Sequence, residues 1–326
     1  MTPPNPPQAT SISAFGDESI AEAAALILAG RPVAVPTETV YGLAADATNA
    51  AAVEQIYAAK GRPSFNPLIV HVRDLAQAEE HGQFSDAARA AAQAWWPGPL
   101  TIVVPRRPGS GIAERATAGL ATIALRCPAH PAMQALLAAC GRPLAAPSAN
   151  ASGGLSPTTS LHVLKSLGGR IPLIIDAGAT SVGLESTIVA FTEDQPRLLR
   201  PGPVPFDRIT LSPSPPRGGA GGGPVLVEAP GQLPSHYAPS KPLRLDAETA
   251  EPDEYWIGFG AIEGEANLSP ERNLEEAASR LFDLLHRAEL SAKPRIAVAP
   301  IPAEGIGEAI NDRLRRAAAP RPDQSS

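Results

Sequence analysis

Two polar clusters carry the chain's clearest capacity for chemistry: Pro36-Thr37-Glu38-Thr39-Val40-Tyr41-Gly42-Leu43 and Lys60-Gly61-Arg62-Pro63-Ser64-Phe65-Asn66-Pro67. The second runs directly into Leu68-Ile69-Val70-His71-Val72, so cations, an amide, hydroxyls and an imidazole stand at the ends of short β-branched runs. Sheet proteins put ligand-binding loops at such ends, and this mixture of donors suits a polyanion. Lys60 and Arg62 flank Gly61 after a helical stretch, where alternation would project both to one side of an extended segment. Two solvated surface cations are the ordinary alternative. Against it, Pro63 and Pro67 fix the path of the loop while Ser64 and Asn66 add hydrogen-bonding groups.

A second constellation lies near the middle of the chain. Arg126 ends the apolar run Thr122-Ile123-Ala124-Leu125, and a guanidinium there is costly unless it meets an anion; its planar fork suits a carboxylate. Ser148 and Asn150 repeat the alternation of Lys60 and Arg62, with Ser156-Pro157-Thr158 just downstream; an ordinary Asx or Ser turn is the plainer account. His71 follows an apolar strand, a position where a satisfied core histidine is common. There is no P-loop pattern, HExxH, GxSxG elbow or paired-cysteine metal site.

The elements that must position these residues alternate. Helical spacing is found at Asp17 to Ala29, Ala50 to Ala59, Ser85 to Trp96, Pro131 to Ala139 and Leu161 to Leu167. Strand-like runs fall at Val33 to Val35, Leu68 to Val72, Leu100 to Val104, Thr122 to Leu125, Leu144 to Ala146, Leu173 to Ile175 and Ser186 to Phe191. The spacing predicts a disordered start over 1–15, an α/β domain over 16–206, a linker over 207–240 and a small α/β unit over 241–320. Ser212 to Pro224 combines Pro stiffening with Gly freedom and has no apolar face to bury, so it reads as linker, not as a phosphate loop. In the small unit, strands are expected at Leu243 to Leu245, Trp256 to Phe259 and Ile296 to Ala299. Helices are expected from Leu274, capped by Asn273, to Glu289, and around Gly307 to Ala318.

Composition bounds the partners. The 326 residues carry 27 Lys and Arg against 33 Asp and Glu, a formal charge of −6, so bulk electrostatics do not attract nucleic acid or an anionic membrane. Any anion site must be a local pocket. Cys127 and Cys140 are too few for a zinc knuckle or redox pair and are expected to be buried, reduced thiols. Met1 to Thr10 lacks a basic stretch and an apolar segment, and no run approaches the ~20 apolar residues of a membrane span. A soluble, cytoplasmic protein is expected.

PTETVYGL, the Lys60/Arg62 and Ser148/Asn150 pairs, NPLIVHV, WPGPLTIVVP, GLESTIVAF and LLRPG together resemble the YrdC-type domain. Ala229 to Pro239, reading APGQLPSHYAP, and the small C-terminal unit resemble the two-domain form of the L-threonylcarbamoyladenylate synthases. The resemblance implies a twisted mixed sheet flanked by helices, with a small Rossmann-like α/β domain after it. It also implies a nucleotidyltransferase joining L-threonine, bicarbonate or CO2, and ATP into threonylcarbamoyl-AMP and pyrophosphate. By the same resemblance, Lys60, Arg62, Asn66, Thr122, Ser148, Ser156 and Arg200 bind ATP under a lid bearing His236 and Tyr237. Thr39, His71, Arg126, Ala146 and Ser186 would place threonine, with no residue becoming covalently attached. Mg2+ would arrive with ATP, held largely by phosphate and water; Asp46, Asp176 and Glu185 could touch it, but a structural role is the plainer account of each. The implied downstream partners are proteins that transfer the threonylcarbamoyl group to tRNA, with weak tRNA contact at most and no membrane. The rival is an RNA-binding module of the same type in which the basic residues grip tRNA phosphates. Two departures stand out: Ala44 replaces the family's common Gly after Tyr-Gly-Leu, and the C-terminal unit is short.

Overall fold

The computed structural model describes residues 9–210, 228–230 and 236–320. The expected linker Ser212 to Pro224 lies outside the described residues. Among those described, ten strands make one sheet: β1 (Ser11–Ala14), β2 (Val33–Pro36), β3 (Tyr41–Asp46), β4 (Ile69–His71), β5 (Leu100–Pro105), β6 (Thr122–Arg126), β7 (Leu144–Ala145), β8 (Leu173–Asp176), β9 (Thr187–Ala190) and β10 (Arg197–Arg200). Their spatial order is β1-β8-β2-β3-β7-β4-β6-β5-β9-β10, with parallel and antiparallel pairs mixed. The helices of this part are α1 (Asp17–Leu28), α2 (Ala50–Lys60), α3 (Leu75–His81), α4 (Asp86–Trp95), α5 (Glu114–Thr117), α6 (Pro131–Cys140), α7 (Ser160–Leu167) and α8 (Phe206–Thr210).

Successive strand residues point to opposite faces, and here both faces are buried. On β2, Val33 and Val35 join α1 and α6 in one core while Ala34 joins α2, α4 and α7 in the other. Leu173 and Ile175 of β8 likewise divide from Ile174. The α1/α6 layer covers only part of its face. Across β4, β6, β5 and β9 that face continues as Ile69, Ala124, Val103, Ile188 and Ala190, with Leu199 and Ala229, a cluster to which no helix contributes among the described residues. This helix-free stretch is where a ligand can reach the sheet.

Two expectations are corrected. The start is not disordered through residue 15: Ser11 to Ala14 pair in parallel with Leu173 to Asp176, because an edge strand gains backbone hydrogen bonds whatever its side chains. Tyr41–Asp46, a Gly- and Ala-rich run not expected to be a strand, is fully buried and pairs antiparallel with β2. Ala44 adds its methyl to the α1/α6 core.

The C-terminal unit is a parallel sheet in the order β11 (Leu243–Arg244), β14 (Arg295–Val298), β12 (Glu254–Gly258), β13 (Ala266–Asn267), with α9 (Leu274–Leu290) and α10 (Gly307–Ala318). Asn273 caps α9, its side chain accepting from the Glu276 amide at 2.8 Å. The core of this unit admits Leu155, Leu184 and Tyr237 from outside it, so the two parts share apolar interior. Gly183 marks the closest approach. Its φ of +76° is left-handed, and a Cβ built there would lie 2.5 Å from Ser279 Cα on α9. Gly183→Ala is therefore expected to destabilise the protein by about 1–3 kcal/mol through overpacking and strain, read as a lowered melting temperature; an unchanged melt would show that α9 does not pack there.

Candidate functional site

A pocket enclosing about 480 Å³ of space, open mouth included, lies on the helix-free stretch. Strand register builds its floor. Ile69 and His71 on β4 stand beside Ala124 and Arg126 on β6, and the alternation that buries Val70 turns His71 and Arg126 to the pocket side.

The two cationic clusters meet through one ammonium. Lys60 is the last residue of α2, and Gly61, left-handed at φ 60°, ends the helix and turns the chain. The expected extended alternation of Lys60 and Arg62 is therefore corrected: a helix end followed by a left-handed glycine sends the two side chains in different directions. Lys60 Nζ donates to the carbonyls of both Ser148 and Asn150. Burial and the adjacent Arg62 push its pKa well below the ordinary lysine value. Asn150 turns its side chain back on its own loop, donating to the Ala151 and Gly154 carbonyls. Arg62 is clamped by Asn66, which accepts at its backbone carbonyl (3.1 Å) and at Oδ1 (2.8 Å), and by the Pro67 carbonyl at 2.7 Å. These bonds occupy Nε and Nη2 and leave Nη1 for a ligand.

Arg126 is held from behind. It donates through Nη2 to Glu38 at 2.7 Å, through Nη1 to Thr39 Oγ1 at 3.0 Å and through Nε to the Gly98 carbonyl at 3.3 Å. Two N–H groups of the fork remain for an incoming carboxylate. Glu38, absent from the sequence-expected site, also accepts from the Ala129 amide at 3.0 Å. Burial alone would raise its pKa; Arg126 and these hydrogen bonds override that and hold it below the usual carboxylate value. Ser186 Oγ shares a hydrogen bond of 2.7 Å with Thr101, another residue that sequence reading did not single out.

The far wall comes from the 198–202 segment and the 236–237 residues. Arg200 donates to the Ser186 carbonyl from Nε and Nη2, and from Nη1 to the Tyr237 hydroxyl at 3.4 Å. Tyr237 is buried at a left-handed φ of 61°, an unusual conformation for a bulky residue and a mark of a functionally constrained backbone. Beside it Glu185 accepts from Ser156 and from Arg313 of α10, the latter at 2.7 Å.

Of the residues expected from sequence, Thr39, Arg62, His71, Arg126, Ala146, Ser148, Ser186, Arg200, His236 and Tyr237 line the pocket. Lys60, Asn66 and Ser156 stand behind it as supports for Ser148, Arg62 and Glu185. Thr122, at the start of β6, does not line it. Glu185 is the pocket's carboxylate, whereas Asp46 is tied to Thr48 and Arg142, and Asp176 to Tyr41. Glu38 and Arg313 were missed because their partners lie 88 and 128 residues away in sequence. Both cysteines are free and buried.

His71 has neither ring nitrogen hydrogen-bonded in a buried setting. Burial, reinforced by Arg126, lowers its pKa from 6.5 to about 3. An unfolded chain takes up this proton below pH 6.5 and the folded one refuses it, so stability is lost as pH falls from about 6.5 toward 3. At pH 5 the loss from this group is about 2 kcal/mol. The melting temperature is expected to drop between pH 7 and pH 5, and to drop less in His71→Asn. Equal drops in both proteins would show that His71 titrates normally.

Comparison with known proteins shows the family. The Sua5/YciO/YrdC family model, described as telomere recombination, matches residues 25–202, and a model described as threonylcarbamoyl-AMP synthase, C-terminal domain, matches residues 219–319. The chain is 39% identical to the threonylcarbamoyl-AMP synthase of Bacillus subtilis over 94% of each chain. It is 37% identical to that of Pyrococcus abyssi, covering 90% of this chain and 92% of the other. The structure matches P. abyssi Sua5 complexed with L-threonine at a TM-score of 0.83 and 33% identity, over 95% of this chain and 97% of that one. The chain thus belongs to the Sua5/YciO/YrdC family, in the two-domain form that carries the threonylcarbamoyl-AMP synthase C-terminal domain.

Proposed function

We propose that this chain is a threonylcarbamoyl-AMP synthase, joining L-threonine, CO2 derived from bicarbonate, and ATP into threonylcarbamoyl-AMP with release of pyrophosphate. The observation that carries the reading is the convergence of Arg62, Arg126 and Arg200 on one pocket, in a chain that matches these synthases over both parts.

In this reading Arg126 presents its two remaining N–H groups to the threonine carboxylate, and Thr39 and Ser186 supply hydroxyl contacts beside it. His71, neutral and unpartnered, meets the threonine ammonium or hydroxyl, while Ala146 keeps that wall small. Arg62 and Arg200 face the phosphates, Ser148 sits at the edge held by Lys60, and His236 and Tyr237 close the nucleotide side. Thr122 at the start of β6 is left for the outer part of the nucleotide. Threonine's amine, once deprotonated, attacks CO2 and forms a carbamate. A carbamate oxygen then attacks the α-phosphorus, the bond to the bridging oxygen breaks, and pyrophosphate leaves with the electron pair.

No side chain needs to bond to substrate. Holding the carbamate against the α-phosphorus supplies the rate, since effective molarities in such sites are worth ~7–11 kcal/mol. Fixed guanidiniums stabilise the charge on the leaving group without reorganising. Mg2+ fits as an ion arriving with the triphosphate. Among the described residues no three His, Cys, Asp or Glu converge to hold a metal, and Glu185 is engaged by Ser156 and Arg313, so phosphate oxygens and water would be its ligands.

The RNA-gripping alternative fits poorly. Lys60, Arg62, Arg126 and Arg200 are only 3%, 8%, 4% and 4% exposed, too deep for a polymer backbone to reach. Among the described residues no helix is long and apolar enough to cross a membrane. In this reading the protein works in the cytoplasm and hands its intermediate to separate threonylcarbamoyl-transfer proteins.

Pyrophosphate release from ATP, with threonine and bicarbonate omitted in turn, tests the proposal. Release is expected only with both present; release indifferent to threonine would sink it. Arg62→Ala should lose nearly all activity and Lys165→Ala little. Arg126→Lys should raise the KM for threonine by about tenfold, because a point charge replaces a bidentate fork. An unchanged KM would remove Arg126 from the threonine subsite.

A further inference from the structure

Among the described residues, Glu185 is the one carboxylate that lines the pocket. Left alone, it would face the phosphates of ATP and repel them. Both its oxygens are instead engaged: Oε1 accepts from Ser156 Oγ and Oε2 from Arg313 Nε at 2.7 Å. Arg313 does not line the pocket. It comes from α10 of the C-terminal unit, its side chain is 1% exposed, and its Nη1 donates to the Pro201 carbonyl at 3.0 Å, next to Arg200. The same guanidinium lies 5.3 Å from the centre of the Tyr237 ring. Asp312, its neighbour on α10, accepts from Nη1 at 2.9 Å and is shared with Arg316.

One side chain from the last helix thus touches three parts of the pocket wall: the Glu185 carboxylate, the 200–201 backbone and Tyr237. The approach of the C-terminal unit that permits this is enforced nearby. Leu184 is buried in the core of that unit, and Gly183 leaves no room between the chain and α9. A second tie lies at Ser156, the other partner of Glu185, whose carbonyl is 3.1 Å from His286 Nε2 on α9. Both neighbours of the carboxylate are therefore anchored by the C-terminal unit.

We propose that Arg313 is a positioning residue of the nucleotide pocket: by pairing with Glu185 and bracing Tyr237 it holds the pocket's carboxylate away from the phosphates, so that ATP binding depends on the docked C-terminal unit. The inference rests on the ATP-binding reading above. It gives the C-terminal unit a defined task in a protein whose pocket-lining cations, among the described residues, all come from the large sheet and its loops.

The test is a double-mutant cycle in the full-length chain, with equilibrium titration of ATP and pyrophosphate release measured on Arg313→Met, Glu185→Gln and the pair together. Arg313→Met is expected to weaken ATP binding by about tenfold or more, because it leaves a buried carboxylate uncompensated beside the phosphates. The double variant should bind ATP more tightly than Arg313→Met alone, since the repelling charge is then gone. A merely structural role for Arg313 gives losses that multiply in the double variant, and that result overturns the proposal, as does wild-type affinity in Arg313→Met. Should Arg313→Met fail to fold, Arg313→Lys takes its place in the cycle: a point charge pairs Glu185 less completely, so a loss of ATP affinity that Glu185→Gln relieves is expected, whereas losses that multiply overturn the idea. Wild-type protein that binds ATP but releases no pyrophosphate with threonine and bicarbonate would defeat the synthase reading while leaving the cycle interpretable.

Discussion

Basic side chains set in a desolvated place are the constraint on which the rest of this structure depends. Removing an ammonium or guanidinium from water costs several kcal/mol unless the protein replaces the lost hydration. Here each cation has its own replacement. Lys60 has two carbonyls, Arg62 has Asn66 and Pro67, Arg126 has Glu38 and Thr39, Arg200 has Ser186, and Arg313 has Glu185. These partners fix each group's direction and leave unspent donors on Arg62 and Arg126 aimed into one cavity. Such a cavity is electrostatically prepared for an anion before the anion arrives.

The sheet provides the platform because its two faces are unequally clothed. Helices bury one face along its length and only part of the other. On the bare stretch, strand alternation does double work: the residue that points down joins the core, and its neighbour points up as His71, Arg126 or Ser186. A single-residue slip in the β4–β6 register would exchange Val70 for His71 and bury the imidazole in the apolar core. Register and chemistry are therefore specified by the same hydrophobic pattern.

The C-terminal unit is joined by interior, not merely by a tether. Leu184, Leu155 and Tyr237 complete its core, and the stacked rings of His162 and His286, 3.8 Å apart, lie at the same junction. The junction adjoins the pocket because Glu185 and Ser186 directly follow Leu184. Docking energy and pocket geometry thus share a few consecutive residues, which is why the wall can include Arg313 without Arg313 meeting a ligand.

The α/β class and the positions of most helices and strands were legible in the sequence, whereas the full set of ten pocket-lining residues was reached only through the resemblance to the YrdC-type family. Periodicity and cap residues are local properties, and the motifs lie at strand ends where loops must converge. The edge strand Ser11–Ala14 and the small-residue strand Tyr41–Asp46 escaped because their evidence is a partner strand, not a pattern. The same holds for the site. That Lys60 would serve Ser148 and Asn150, that Glu38 would answer Arg126, and that α10 would reach Glu185 are pairings across 88 to 128 residues. Sequence by itself determined which chemical groups were available and on which element each stood. Only the tertiary structure decided which charges face one another, because Coulomb and hydrogen-bond energies depend on distance in space, and the chain fixes that distance only once its apolar faces have packed.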